Sequence, residues 1–212
     1  MSELSAPTTE TTLPDHDHLV WYVSYGSNLA AGRLRHYLEG GTPPGGARRN
    51  PGARDPRPPL DSVGVELPGA LYFAGESPQW GGGVAFYDHL AAGPTAARAY
   101  LVTAGQFVDI AAQEMHRVPE PGDPLERVVV DGLGGIGARH EVGPGHYETL
   151  IEVGRREGLP MLTFTAPHGR DAVEHTAPSP AYLAMLASGL GESHGWDDTR
   201  TSTYFAAVLP QD

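Results

Sequence analysis

Leu19-Val20-Trp21-Tyr22-Val23-Ser24-Tyr25-Gly26-Ser27-Asn28-Leu29-Ala30-Ala31-Gly32-Arg33-Leu34-Arg35-His36-Tyr37-Leu38 holds a strand, a corner and a helix in one uninterrupted stretch. The apolar run up to Tyr25 reads as a buried strand. Gly26 is free to take the positive φ that a sharp corner needs, and Ser27 or Asn28 can cap the helix through a side-chain oxygen. Free N–H groups at the corner, with the positive end of a helix dipole, would form a seat for a carboxylate or a developing oxyanion. An ordinary strand-to-helix turn uses the same residues, so the pattern alone leaves both readings open.

Around this stretch the composition sets bounds. The chain has 212 residues, 26 Asp plus Glu against 14 Lys plus Arg, and a formal charge of −12. That length suits one domain or a compact pair with a real core. The acidity argues against nucleic acid and anionic membrane as partners, since both select basic faces. With no cysteine, a thiol nucleophile, a thiolate zinc site and a disulfide framework are excluded, which fits a cytoplasmic location. No run has the length and apolarity of a membrane span. Residues 1–18 are rich in Ser, Thr, Pro and acid and lack a signal peptide's pattern; they read as a disordered tail. Residues 19–212 read as a single domain, carrying a Pro/Gly/Arg-rich insertion at 42–62 that reads as mobile.

Short strands are expected at 70–74, 83–87 and 98–102, and again at 127–130, 147–153 and 159–165. Trp80 and Gly81 to Gly83 suggest a pocket floor and a close backbone approach, respectively. Thr103 followed by Gln106 matches a capping box for a helix over 103–117. On that helix Phe107, Ile110 and Ala111 form an apolar stripe, while Gln106, Asp109, Gln113 and His116 lie elsewhere. Glu114 falls on the apolar stripe. A carboxyl there must be desolvated or paired; desolvation would raise its pKa and suit it to acid–base work. The structural alternative is an ion pair with an arginine such as Arg98 or Arg117. His140, Glu141 and His146 lack the helical spacing of a metal site. Ser179 and Pro180 open a further helix, with Tyr182 in its first turn and Gly189 or Gly191 at its end. A last helix, or a helix and a short strand, is expected over 193–209.

Taken in order, Tyr25-Gly26-Ser27-Asn28-Leu29, the Trp80 glycine strand, the Gln113-Glu114 helix and Pro178-Ser179-Pro180-Ala181-Tyr182 resemble the γ-glutamylcyclotransferase family. The resemblance implies an α+β fold, a small mixed β-barrel of about six or seven short strands flanked by three or four helices. It also implies a cofactor-independent acyltransferase or lyase that needs no metal and acts on a small γ-glutamyl substrate as a monomer or homodimer. The substrate's α-amine attacks its own side-chain carbonyl and releases 5-oxoproline and an amine. Glu114 would be the catalytic acid–base; Tyr25, Gly26, Ser27, Asn28, Leu29 and Tyr182 would bind substrate. A related amide-processing reaction, removal of a γ-glutamyl protecting group or hydrolysis, is the alternative, and a non-catalytic binding module the third. The chain departs from the family pattern at Ala111-Ala112, at Met115 and in the 42–62 segment, so no leaving-group residues carry over.

Overall fold

The computed structural model describes residues 18–44 and 48–209, so the expected tail lies almost wholly outside the described residues. The fold is α+β, with eight strands and five α-helices among those residues. Six strands form one sheet in the order β2-β5-β1-β8-β7-β6: β2 (Asp61–Leu67), β5 (Thr95–Thr103), β1 (Leu19–Ser24), β8 (Leu159–Thr165), β7 (Thr149–Arg156) and β6 (Arg139–Glu141). Every pairing is antiparallel except β1 with β8. β3 (Ala70–Ala74) and β4 (Val84–Asp88) form a separate hairpin. The sheet is therefore not closed into the barrel expected. Where a ladder would join the hairpin to β8, the Thr165 hydroxyl stands in: it accepts from the Tyr87 N–H at 3.0 Å and donates to the Tyr87 carbonyl at 2.9 Å.

β1 is apolar from Leu19 to Val23 because both its faces are covered. Val20 and Tyr22 enter a core with Phe107, Ile110 and Phe164, beneath α1 (Ala31–Glu39) and α2 (Ala104–Glu114). Trp21 and Val23 point the other way. They meet Phe73, Leu186 and Leu190 under the hairpin and α4 (Pro180–His194).

Several local expectations change. Residues 127–130, expected as a strand from their valines, belong to α3 (Pro124–Asp131). The Asp123 side chain caps it by accepting the Leu125 N–H at 2.9 Å, Pro124 occupies the first turn, and Leu125 and Val129 bury one helical face. A strong cap and i,i+4 burial outweigh the β-propensity of Val128 to Val130. α4 runs past Gly189 and Gly191 to His194, where Gly195 ends it in the left-handed conformation. The chain then forms α5 (Asp198–Val208), and no strand follows it among the described residues. β2 went unread: Val63, Val65 and Leu67 alternate, but at a sheet edge and interrupted by Gly64.

The 42–62 segment differs most. Rather than standing off, its second half is fastened along α2 by the polar residues of that helix. Gln113 Oε1 accepts the Gly52 N–H, Asp109 takes both the backbone N–H and the Nε of Arg54, and the Gln106 amide donates to the carbonyls of Asp55 and Arg57. Those three side chains are buried, which is permitted because the strap satisfies them. Asp109→Ala would leave Arg54 only its exposed pair with Glu126; limited trypsin digestion should then cut after Arg54 in the variant well before it does so in the parent protein.

Candidate active site

The C-terminal end of β1 opens into a cavity of about 460 Å³. Its wall is built by the corner after β1, by α1, by the last turn of α2, by residues 77–80 and by the first turn of α4. The corner is a 3-10 turn, Ser27–Leu29, before α1 begins at Ala31.

Two expectations about this corner are corrected. Gly26 has φ −107°, not a positive value, and neither Ser27 nor Asn28 caps a helix through its side chain. Gly26 is there for room: a Cβ at this position would stand 3.3 Å from the Tyr182 hydroxyl. The first N–H of α1, on Ala31, is taken instead by the Glu192 carboxylate at 2.9 Å, reaching across from α4. A carboxylate at a helix N-terminus is favourable, so the dipole of α1 is already answered by the protein. The backbone N–H groups of Ser27 and Asn28 make no hydrogen bond among the described residues, and both residues line the cavity.

Tyr25, Gly26, Ser27, Asn28, Glu114 and Tyr182 all line this cavity; Leu29 does not. Leu29 is buried behind the turn, against Gly189 of α4. The Tyr25 hydroxyl donates to the Phe164 carbonyl at 2.7 Å, tying the corner to β8. Tyr182 stacks on Trp80 with ring centroids 6.0 Å apart, so Trp80 is a wall of the cavity. The Trp80 side is held shut by glycine: the Gly83 N–H donates to the Ala177 carbonyl, and a Cβ on Gly83 would collide with the Thr176 carbonyl.

Glu114 is the last residue of α2 and makes no ion pair among the described residues. Arg98 is engaged by Glu192 and Arg117 by Asp123, so neither of these two arginines pairs with it. The carboxyl receives a long hydrogen bond, 3.4 Å, from the Asn28 amide, which also donates to the Tyr22 hydroxyl at 3.1 Å. Burial raises its pKa; a hydrogen bond with Tyr37, the charge of Arg33 and the Asn28 amide pull the other way without cancelling that rise. Its place at a helix C-terminus acts in the same direction as burial.

Sequence reasoning missed Arg33 and Tyr37. Arg33 is buried, donates to Asn50 Oδ1 at 2.9 Å and to the Tyr37 hydroxyl at 3.0 Å, and lies over the Tyr37 ring. Its Nε is buried with no partner among the described residues, and so is Asn28 Oδ1. The signal was present: Leu34, Tyr37 and Leu38 form the apolar stripe of α1, and Arg33 lies one turn before Tyr37 on it. The same test applied to Glu114 would have picked it out. One unpaired buried donor beside a cation and one unpaired buried acceptor beside a carboxyl is the complement of a zwitterion. Among the described residues no group of three or more His, Cys, Asp or Glu is placed to hold a metal.

No protein-family model matches the sequence. Among curated proteins the chain is similar to histone deacetylase 5 of Arabidopsis thaliana, 32% identical over 189 residues, covering 82% of this chain and 28% of that protein. The chain thus spans less than a third of that relative. Among solved structures it is similar to an uncharacterized protein from Homo sapiens, with a TM-score of 0.52, 17% identity and coverage of 92% and 91% of the two chains. It is similar also to a γ-glutamyl cyclotransferase, with a TM-score of 0.51, 17% identity and coverage of 92% and 90%. The protein therefore has the γ-glutamyl cyclotransferase fold.

Proposed function

We propose that the protein is a γ-glutamyl amide cyclotransferase with Glu114 as its acid–base. The observation that supports this most is the sharing of one cavity by an unpaired carboxyl, whose pKa burial raises, and a corner with free backbone N–H groups.

The chemistry follows from charge. In the bound glutamyl group, the α-ammonium would sit against Glu114 and Asn28 Oδ1, and the α-carboxylate against Arg33 Nε. Glu114 takes a proton from the ammonium, and the freed amine attacks the side-chain carbonyl. A C–N bond closes the five-membered ring while the original amide C–N bond breaks. The proton held by Glu114 passes to the departing nitrogen, and the carboxylate so regenerated takes the second proton from the ring nitrogen and yields it to the released amine, leaving 5-oxoproline and the amine as its ammonium. A carboxyl of ordinary pKa would accept the first proton weakly and hold the second too briefly; the raised pKa serves both transfers. The N–H groups of Ser27 and Asn28 are suited to the oxyanion of the tetrahedral stage. Little further activation is needed, because nucleophile and electrophile belong to one molecule and require only folding into contact. Tyr182 and Trp80 supply the apolar side that excludes water.

The test is a panel of γ-glutamyl amines and amino acids incubated with the protein and read by mass spectrometry. Release of 5-oxoproline supports the cyclotransferase. Free glutamate in its place would point to hydrolysis on the same scaffold, and no turnover with binding retained would point to a binding module.

A further inference from the structure

The outer wall of the cavity carries a charge opposite to that of the whole molecule. In a chain of formal charge −12, the cavity is lined by four arginines, Arg33, Arg48, Arg49 and Arg117, and by one carboxylate, Glu114. Arg33 is buried and Glu114 half-buried; the other three arginines are exposed. Arg48 and Arg49 form no ion pair among the described residues, whereas most other arginines are neutralised by an acid within reach. Beside them, Gln79 Oε1 accepts the Arg48 backbone N–H at 3.1 Å, which fixes the amide orientation. Its Nε2 is then left as a buried donor with no partner. An unpaired donor and two arginines free of any acid, with Arg117 beside them already held by Asp123, make this rim suited to an anion.

Resting on the cyclotransferase reading, we propose that the departing amine is a dianion, carrying one more negative charge than the single carboxylate of an ordinary amino acid. Arg33 is accounted for by the glutamyl head, so the rim is free to read the other half of the substrate. A neutral amine would leave every rim donor unanswered, and a single carboxylate would answer part of the set. Two negative charges, held by Arg48, Arg49 and the Gln79 amide with Arg117 beside them, match it. An acidic amino acid and a phosphate-bearing amine both supply that chemistry.

The experiment compares γ-glutamyl-glutamate with γ-glutamyl-glutamine, which differ by one charge at nearly equal size, and adds γ-glutamyl-phosphoethanolamine as the phosphate arm. In the wild-type protein kcat/KM should favour γ-glutamyl-glutamate by roughly tenfold or more, as charged hydrogen bonds allow. The preference should shrink as salt is raised. In the Arg48→Ala/Arg49→Ala double variant the ratio should fall towards one. A higher rate for the phosphoamine than for γ-glutamyl-glutamate would assign the rim to phosphate. Equal rates for the glutamate and glutamine peptides, or a preference that survives the double variant, would overturn the proposal. Calorimetric binding of the same peptides to Glu114→Gln reads the rim without turnover. A binding preference lost with the two arginines would uphold the dianion even if no 5-oxoproline forms, and in that case the catalytic reading alone would fall.

Discussion

Glu114→Gln should lower the rate of 5-oxoproline release by roughly 10²-fold or more, the usual contribution of a positioned acid–base group, without destabilising the fold. The two halves of this result rest on the same observation. The carboxyl has its pKa raised by burial, so between the unfolded and folded pKa values the folded state holds more protons than the unfolded one. Stability then falls as pH rises through that window, and above it a constant penalty remains. Gln is the neutral isostere and escapes the penalty. Its carbonyl can still accept from Asn28 and Tyr37, so the cavity wall is kept. Thermal unfolding at pH 7 should therefore give a Tm equal to or above that of the parent, with the difference vanishing at acid pH where Glu114 is protonated in both states. A variant that kept full activity would remove Glu114 from the chemistry. One that lost activity together with several degrees of Tm would assign it a structural role.

A second large effect is expected from one methyl group far from the substrate. Gly189→Ala on α4 would place a Cβ 2.4 Å from the Leu29 Cβ and 2.5 Å from the Ala30 nitrogen. The second of these is backbone, which cannot rotate away. Either α4 or the corner must move, and overpacking of this kind costs about 1–3 kcal/mol, partly offset by the better helix propensity of Ala, up to about 1 kcal/mol. Since about 1 kcal/mol shifts Tm by roughly 2–4 °C in a chain this long, differential scanning calorimetry should show a clear fall. Activity should fall further, because a displacement near 1 Å of a reacting group costs on the order of 10²-fold. Gly191→Ala is the control two residues along the same helix, where the nearest neighbour of an added Cβ is 3.7 Å away. It should raise Tm slightly. If both variants behaved alike, the contact between α4 and the corner would not be what positions the site.

The elements legible in the sequence are those whose cause is local. The strand after Leu19 announces itself because both faces of β1 are covered, so no polar residue interrupts the run. Thr103 with Gln106, and Ser179 with Pro180, mark helix starts through bonds that close within three residues, and the structure has both. Glu114 stands out because an acid on an apolar stripe contradicts its neighbours, and that contradiction needs only the period of a helix to be seen.

What tertiary structure alone decided depends on partners distant along the chain. Gly26 is crowded by a hydroxyl 156 positions later, on Tyr182, and its own φ is not positive. The cap of α1 comes from Glu192, and the strap at 50–57 is held by side chains of α2 about fifty residues away. Valines 128 to 130 follow a helix because Asp123 and the core under Leu125 and Val129 outweigh their preference. Arg33 lies between these cases: its helix face is local, but its unpaired Nε exists only because Asn50 and Tyr37 take its other nitrogens. Backbone periodicity and capping are set by bonds a few residues long, and a single chain displays them. A cavity is a space left between elements, so its shape and charge exist only once those elements have packed.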